Sequence, residues 1–322
     1  MTVVDLKYGA KYQLEIDKKN AVEKRLASKL GLPKDQIMLN YGANSVIIQL
    51  LSALSVQTLA EKGRKLRVLL DVPNYFFLQC QLEEWQIDIQ KVERDEELEF
   101  PFQAYIDRLA TYPDVAWLTT PNNPTGKPIT DESIRVIIES ASSETLVVID
   151  RSCLNILPEI SSKELLKQYP HRRLAIIHSF SKSHDLSEER LGYLATNDRV
   201  LAKLLSNKRD LNHNLHALER LLQVMDNGRE EDRAKAAIRE SRRVLKEFCD
   251  ANSQVSYIET FSSFCLLKLS EGIKAKKVAR QAALKGVAVM AGEDIGMDAR
   301  YLRVYTGSPD GLRLFLDMLK LV

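Results

Sequence analysis

Apolar residues in this chain fall into short uninterrupted runs, separated by stretches where they recur every three or four positions. From Leu66 onward the two textures alternate. Runs at Arg67–Asp71, Ile87–Val92, Val115–Thr119, Leu146–Asp150, Leu174–His178 and Leu191–Ala195 predict strands, because a strand covered on both faces reads as a continuous apolar run. Helices are expected over Tyr75–Glu84 and from a Thr130 or Asp131 cap to Ala141. Such alternation argues for an α/β fold: a mainly parallel central sheet with helices on both faces and ligands at its carboxyl edge.

Past Asp198 the pattern changes. Up to about Asp250 the chain is charged, helical in period, and carries Gly228 as its one glycine; a long amphipathic helix here is expected to bridge two lobes. Beyond it, Val255–Ile258, Phe264–Leu269, Val287–Met290 and Tyr301–Tyr305 read as strands, with helices over Lys274–Lys285 and Pro309–Leu321. These make a smaller α+β domain, and a helix over Lys18–Leu30 is expected to join it. The domains are therefore discontinuous, 32–206 for the larger and 1–31 with 207–322 for the smaller.

Three polar features sit where the apolar runs end. Lys182 follows Leu174–Ala175–Ile176–Ile177, with Ser179 and Ser181 before it and Arg190 after it. A lysine at a strand end can enter a dry pocket, where desolvation favours the neutral amine that condenses with an aldehyde. Serine hydroxyls and a guanidinium fork suit a phosphate. An aldehyde and a phosphate on one ligand point to pyridoxal 5′-phosphate. Upstream, Val147–Val148–Ile149 ends in Asp150, an anion that could keep a pyridine nitrogen protonated. Earlier still, Trp117–Thr120 runs into Pro121–Asn122–Asn123–Pro124–Thr125–Gly126, a turn in which an Asn amide could donate to the ring's phenolic oxygen. Singly these motifs are weak; their order makes them specific.

On those residues the chain resembles the class I/II aminotransferases among the fold-type I pyridoxal phosphate enzymes, nearest to the histidinol-phosphate aminotransferase branch. The resemblance runs from about Tyr41 to the end. It implies that Lys182 holds the cofactor covalently and acts as catalytic base. Asp150 would pair with the pyridine nitrogen, and Asn123 with the phenolic oxygen. Ser179, Ser181 and Arg190 would take the phosphate, together with the backbone of Ala43 and Asn44 at a helix N-terminus. Tyr75 would stack on the ring, and Arg303, in Tyr301–Gly307, would clamp the substrate carboxylate. Read from the residues alone, Tyr75 serves as well as core and Arg303 as well on a strand surface. His178 is expected to pack, His184 is left open, and His171–Arg172–Arg173 reads as a solvated turn.

The chain departs from the family at three places. Asp150–Arg151–Ser152–Cys153 stands where this branch has Asp-Glu-Ala-Tyr, and a thiol is a poor substitute for the tyrosine's donor. Ser183–Glu189 replaces a small, Gly-rich stretch, and the segment before the first helix is short.

Composition excludes little but agrees. The 322 residues are 45% hydrophobic and 28% charged, with 46 basic and 44 acidic residues for a formal net charge of +2, so neither nucleic acid nor a membrane surface is indicated as partner. No apolar run is expected to span a membrane, the N-terminus is not read as a signal peptide, and four scattered cysteines suit a reducing cytoplasm. The expected activity is transamination between an amino acid, or a related primary amine, and a 2-oxo acid. Decarboxylation, elimination or cyclisation on the same fold is the alternative, and a non-catalytic cofactor-binding regulator the second. No metal is expected, and the resemblance implies a homodimer.

Overall fold

The computed structural model describes residues 3–153, 155–181, 186–206, 213–225 and 228–319. The first part of the chain runs α1 (Val3–Leu30), β1 (Ile37–Asn40), α2 (Gly42–Lys62), β2 (Arg67–Val72), α3 (Phe76–Glu84), β3 (Asp88–Glu93), α4 (Phe102–Leu109), β4 (Val115–Thr119), α5 (Asp131–Ser140), β5 (Leu146–Arg151), α6 (Ser162–Gln168), β6 (Leu174–Ser179) and β7 (Gly192–Thr196). Helices α7 (Arg199–Ser206), α8 (Leu215–Val224) and α9 (Gly228–Asp250) follow. The remainder is β8 (Val255–Ile258), β9 (Phe264–Leu269), α10 (Ala275–Leu284), β10 (Val289–Ala291), β11 (Tyr301–Tyr305) and α11 (Pro309–Leu319).

Seven strands form one sheet in the order β1-β7-β6-β5-β4-β2-β3. The sheet is parallel from β6 through β3, as the apolar runs predict, while β7 runs antiparallel to both its neighbours. The later strands make an antiparallel sheet, β10-β11-β9-β8. Side chains alternate between the faces of a strand, and this divides the core of the larger sheet in two. Trp117, Val148, Ile177 and Leu194 face a cluster built with α2, α3 and α7. Leu118, Ile149, Ile176 and Tyr193 face the opposite cluster, with α1, α4, α5, α6 and α8. Both faces are sealed by helices, so all five residues of β4 are buried.

Three expectations change in the folded chain. Helix α1 is longer than the 18–30 segment and lays Val22, Leu26, Ala27 and Leu30 on the larger sheet's core, not on the smaller lobe; the short 31–36 connection keeps its end beside β1. The charged stretch after Asp198 comprises three helices among the described residues rather than one. Helix α2 is also long and apolar enough, by length and composition, to cross a membrane. In the fold, however, its Val46, Ile47, Leu50, Leu51 and Leu54 are buried with the sheet, which accounts for the apolar content.

The lobes meet at the turn after β4. The Phe261 amide donates to the Gly126 carbonyl at 2.7 Å, and Arg242, 8% exposed, donates to Thr260 Oγ1 and to the carbonyls of Ser262 and Phe264. Gly126 has φ +68°, and a Cβ there would lie 2.5 Å from that of Thr260. Only glycine satisfies both demands.

Candidate active site

At the carboxyl edge of the sheet, strand register decides which polar groups share a face. Asp150 lies beside Thr119 on β4 and Ile177 on β6, so its side chain takes the α2 side. Ser179 takes the same side and is paired with Gly192 of β7. Gly192 sits directly against the start of α2: a Cβ there would be 2.7 Å from the Ala43 nitrogen and 2.8 Å from the His178 carbonyl oxygen. This close approach brings Ser179 to the N-terminus of α2, where Tyr41 provides no side-chain cap. Arg190 completes the cluster, since a Cβ on Gly42 would lie 3.3 Å from its guanidinium. Helix dipole, unpaired N–H groups and a guanidinium together make an anion cradle. Ser181 adds its amide, which donates to Ser179 Oγ at 3.2 Å.

Asp150 is 2% exposed. Its Oδ1 accepts from the Ser152 amide at 2.9 Å and from Ser152 Oγ at 2.5 Å, which fixes the carboxylate at the strand end. Tyr75, at the start of α3, donates through its hydroxyl to Asn44 Oδ1 at 3.2 Å. The ring therefore reaches from α3 to the opening of α2. It also lines a cavity of about 320 Å³ with Asn123, Met290 and Arg303. Arg303 lies 5.1 Å from the Phe264 ring centroid and donates to Asn123 Oδ1 at 2.5 Å. Burial lowers its pKa, while the nearby Cys153 and Tyr75 act in the opposite direction. Guanidinium groups only donate, so Asn123 must present its oxygen to Arg303, leaving the amide nitrogen to face another acceptor. Thus Asp150, Asn123, Tyr75, Ala43, Asn44, Ser179, Ser181, Arg190 and Arg303 converge on one edge. Lys182 and His184 lie outside the described residues.

A buried network that sequence reading misses supports this edge. Asp71 and Arg94, both with fully buried side chains, pair at 2.8 Å. Asn122 Nδ2 donates to Asp71 Oδ2 at 3.1 Å, and its Oδ1 accepts from the Thr125 amide at 3.0 Å. Asn74 Nδ2 donates to the Asp71 carbonyl at 3.1 Å and to Asp71 Oδ1 at 3.4 Å, while its Oδ1 accepts from Thr119 Oγ1 at 2.9 Å and from the Tyr75 amide at 2.7 Å. The turn holding Asn123 and the segment holding Tyr75 are thereby tied to the same ion pair. The sequence offers no signal for it beyond Asp71 at a strand end.

The next residue along each strand faces the other way. Arg151, His178 and Tyr193 lie side by side across β5, β6 and β7, with His178 stacked on Tyr193 at 4.8 Å and its Nε2 2.9 Å from Ser162 Oγ. Burial, then the charges of Arg151 and Lys29, push His178 down to about 3 from 6.5. Between those values the unfolded chain binds a proton that the folded chain refuses, so stability falls as the pH drops below 6.5. A His178→Gln variant should lose this component, flattening the acid limb by up to about 1.4 kcal/mol per pH unit. Denaturant unfolding just above and well below pH 6.5 measures it, and parallel limbs for the two proteins would exclude it.

Residues 10–319 match the family model for aminotransferase class I and II. The histidinol-phosphate aminotransferase of Serratia proteamaculans is 27% identical over 184 residues, 57% of this chain and 48% of that protein. The chain spans about half the length of the curated relatives it matches. Among solved structures, the histidinol-phosphate aminotransferase of Clostridium acetobutylicum superposes with a TM-score of 0.80 at 20% identity, covering 96% of this chain and 88% of that one. A decarboxylase from Sulfurospirillum multivorans gives 0.78 at 22% identity, covering 94% and 86%. At these identities the likeness establishes the fold, the fold-type I α/β architecture expected from the sequence.

Proposed function

Because the chain belongs to the aminotransferase class I and II family, we propose that it is a pyridoxal 5′-phosphate-dependent aminotransferase. It transfers an amino group between an amino acid, or a related primary amine, and a 2-oxo acid. The observation that carries this reading is the placement of the buried Asp150 carboxylate on the same sheet face as the anion cradle at the start of α2. One group holds a protonated ring nitrogen, the other a phosphate, and the two are joined by the edge that carries Asn123 and Tyr75. The residues present fit the cofactor.

When bound, pyridoxal phosphate supplies an aldehyde that takes up the substrate amine and an electron sink for the charge left at Cα. The amides of Ala43 and Asn44, with Ser179, Ser181 and Arg190, hold the phosphate. Asp150 keeps the proton on the ring nitrogen. Asn123 would donate to the phenolic oxygen through the amide nitrogen that Arg303 leaves to it, and Tyr75 would lie against the ring. Arg303 receives the substrate carboxylate in a two-pronged contact. Lys182 would hold the cofactor covalently and, once the substrate amine displaces it, would be the free amine positioned to take the substrate Cα proton. A second copy of the chain is proposed as partner; the exposed Ile48, Val56 and Leu59 of α2 and Phe76 of α3 support it. A reducing, cytoplasmic setting suits four cysteines of which none is in a disulfide.

The test is spectroscopic first. Protein supplied with the cofactor should absorb near the edge of the visible range, and borohydride reduction followed by peptide mapping should place the adduct on Lys182. Amino donors that shift the band should then yield glutamate from 2-oxoglutarate. A colourless protein, or an adduct elsewhere, overturns the cofactor assignment. Release of carbon dioxide or ammonia without glutamate overturns transamination alone.

A further inference from the structure

Both lobes build the cavity that holds Arg303. Met290 and Arg303 are direct partners across β10 and β11, so their side chains leave the smaller sheet on one face. The Gly292–Ile295 turn that follows β10 adds Asp294 and Ile295 to the lining, and the start of α3 adds Tyr75 and Phe77. A volume of about 320 Å³ lies at the lower end for small-molecule sites, which leaves room for one compact ligand. Arg303 is held from three sides. One terminal nitrogen donates to Asn123 Oδ1, the other meets Met290 Sδ, and the Phe264 ring centroid lies 5.1 Å from the guanidinium carbon.

The lining decides what can follow a carboxylate seated on Arg303. The rings of Tyr75 and Phe77 lie 6.1 Å apart between centroids and are tilted by 40°. Met290 and Ile295 add a thioether and a branched aliphatic wall. Ring–ring and sulfur–ring contacts favour a flat apolar group here beyond the area it buries. Among the described lining residues, Arg303 and Asp294 carry the charges. Asp294 lies 3.7 Å from the Lys276 ammonium, which also faces Glu293 at 3.8 Å. One cation is thus shared by two carboxylates, and the local balance stays negative. A second anion on the ligand would meet that charge.

We propose that this pocket selects an amino substrate with an aromatic side chain that ends without a negative group. The α-carboxylate pairs with Arg303, the ring lies among Tyr75, Phe77, Met290 and Ile295, and Asp294 repels a distal anion. The inference rests on the transaminase reading for the amino group alone; the pocket recognises the other two parts. Repulsion from an exposed carboxylate is worth only a few-fold in affinity, so a dianionic 2-oxo acid supplied in excess still serves as acceptor.

Calorimetric titration of the cofactor-supplied full chain tests it with three carboxylates that lack an amine: 3-phenylpropanoate, propanoate and succinate. The aryl acid should bind at one equivalent and about tenfold or more tighter than propanoate, as burial of its ring requires. Succinate should bind no better than propanoate. Arg303→Met should weaken 3-phenylpropanoate by about tenfold or more, through loss of the charge-assisted pair. Met290→Ser should weaken it about three- to tenfold, and Met290→Leu, which keeps the volume, should hold it within about twofold. Asp294→Asn should strengthen succinate by about two- to fivefold and leave the aryl acid within about twofold. Met290 is 39% exposed and the Asp294 side chain 53%, so neither of these substitutions opens a core. An aryl acid that binds no tighter than propanoate, or that is indifferent to Arg303→Met, overturns the proposal. Succinate affinity unmoved by Asp294→Asn overturns the exclusion of a distal anion. None of the three ligands can react, so the titration reads the pocket whether or not turnover follows. A colourless protein, or a donor that yields no glutamate, fails the transaminase reading on a separate result.

Discussion

Asp150→Asn should leave the fold nearly unchanged and lower kcat by about 10²–10⁴-fold, roughly 3–5 kcal/mol of transition-state stabilisation. The side chain is buried at 2% exposure, and asparagine can still offer an oxygen to the Ser152 amide that Asp150 now satisfies at 2.9 Å. What disappears is the charge. If Asp150 pairs with the ring nitrogen as proposed, removing the anion from a low-dielectric site should strip that nitrogen of its proton at neutral pH and weaken the electron sink. Two readouts separate this from simple misplacement. The absorption of the bound cofactor should acquire a pH dependence absent from the parent protein, and the denaturation midpoint of the cofactor-free chain should move little. Asp150→Glu keeps the charge but not its position, and should fall between the two in turnover. An asparagine variant within a few-fold of the parent in kcat would remove Asp150 from the proposed mechanism.

The second large effect is on stability. Arg94→Met should cost about 3–5 kcal/mol, because it leaves the fully buried Asp71 without its partner. That is a large share of the 5–15 kcal/mol typical of a folded protein. The loss should depend weakly on salt, since the pair is shielded from solvent. Arg94 also donates to the Leu98 carbonyl at 2.7 Å, which methionine cannot do. Replacing both partners, Asp71→Leu with Arg94→Met, should recover part of the stability by removing the stranded charge. It should not recover activity. Asn122 would lose its acceptor at Asp71, and with it the anchoring of the turn that presents Asn123. Urea unfolding and steady-state kinetics on the single and double variants give both quantities. A single-variant loss below about 1 kcal/mol would mean that the pair contributes no more than an exposed one.

Some of the site was legible in the residues because strand ends are local features. Asp150 closes an apolar run and Asn123 sits in a turn fixed by prolines and glycine, so period and turn chemistry place both at the carboxyl edge. Ser179 and Arg190 come from the same short segment. Arg303 was reached through the resemblance, and its contact with Asn123 spans 180 residues of sequence. Arg94 is 23 residues from Asp71 and lies at the end of a half-exposed strand whose pattern, unlike that of β4, is not uniformly buried. Nothing local marks it as an ion-pair partner. The four-residue β1 and the eight-residue α4 went unread for a similar reason: they are too short for a period to register.

By itself, then, the sequence determined the class of fold and the order in which polar groups leave the strands. Both follow from how a chain must alternate apolar and polar positions to bury a doubly covered sheet. Tertiary structure alone decided that β7 runs against its neighbours, that α1 lies on the larger sheet, and that Gly192 meets the backbone of Ala43. It also decided that Asp150 and Arg151, adjacent in the chain, serve opposite faces with different surroundings. These are outcomes of packing between elements far apart in sequence, where contact distance and strand register govern what a side chain meets, and neither is written in any local window of residues.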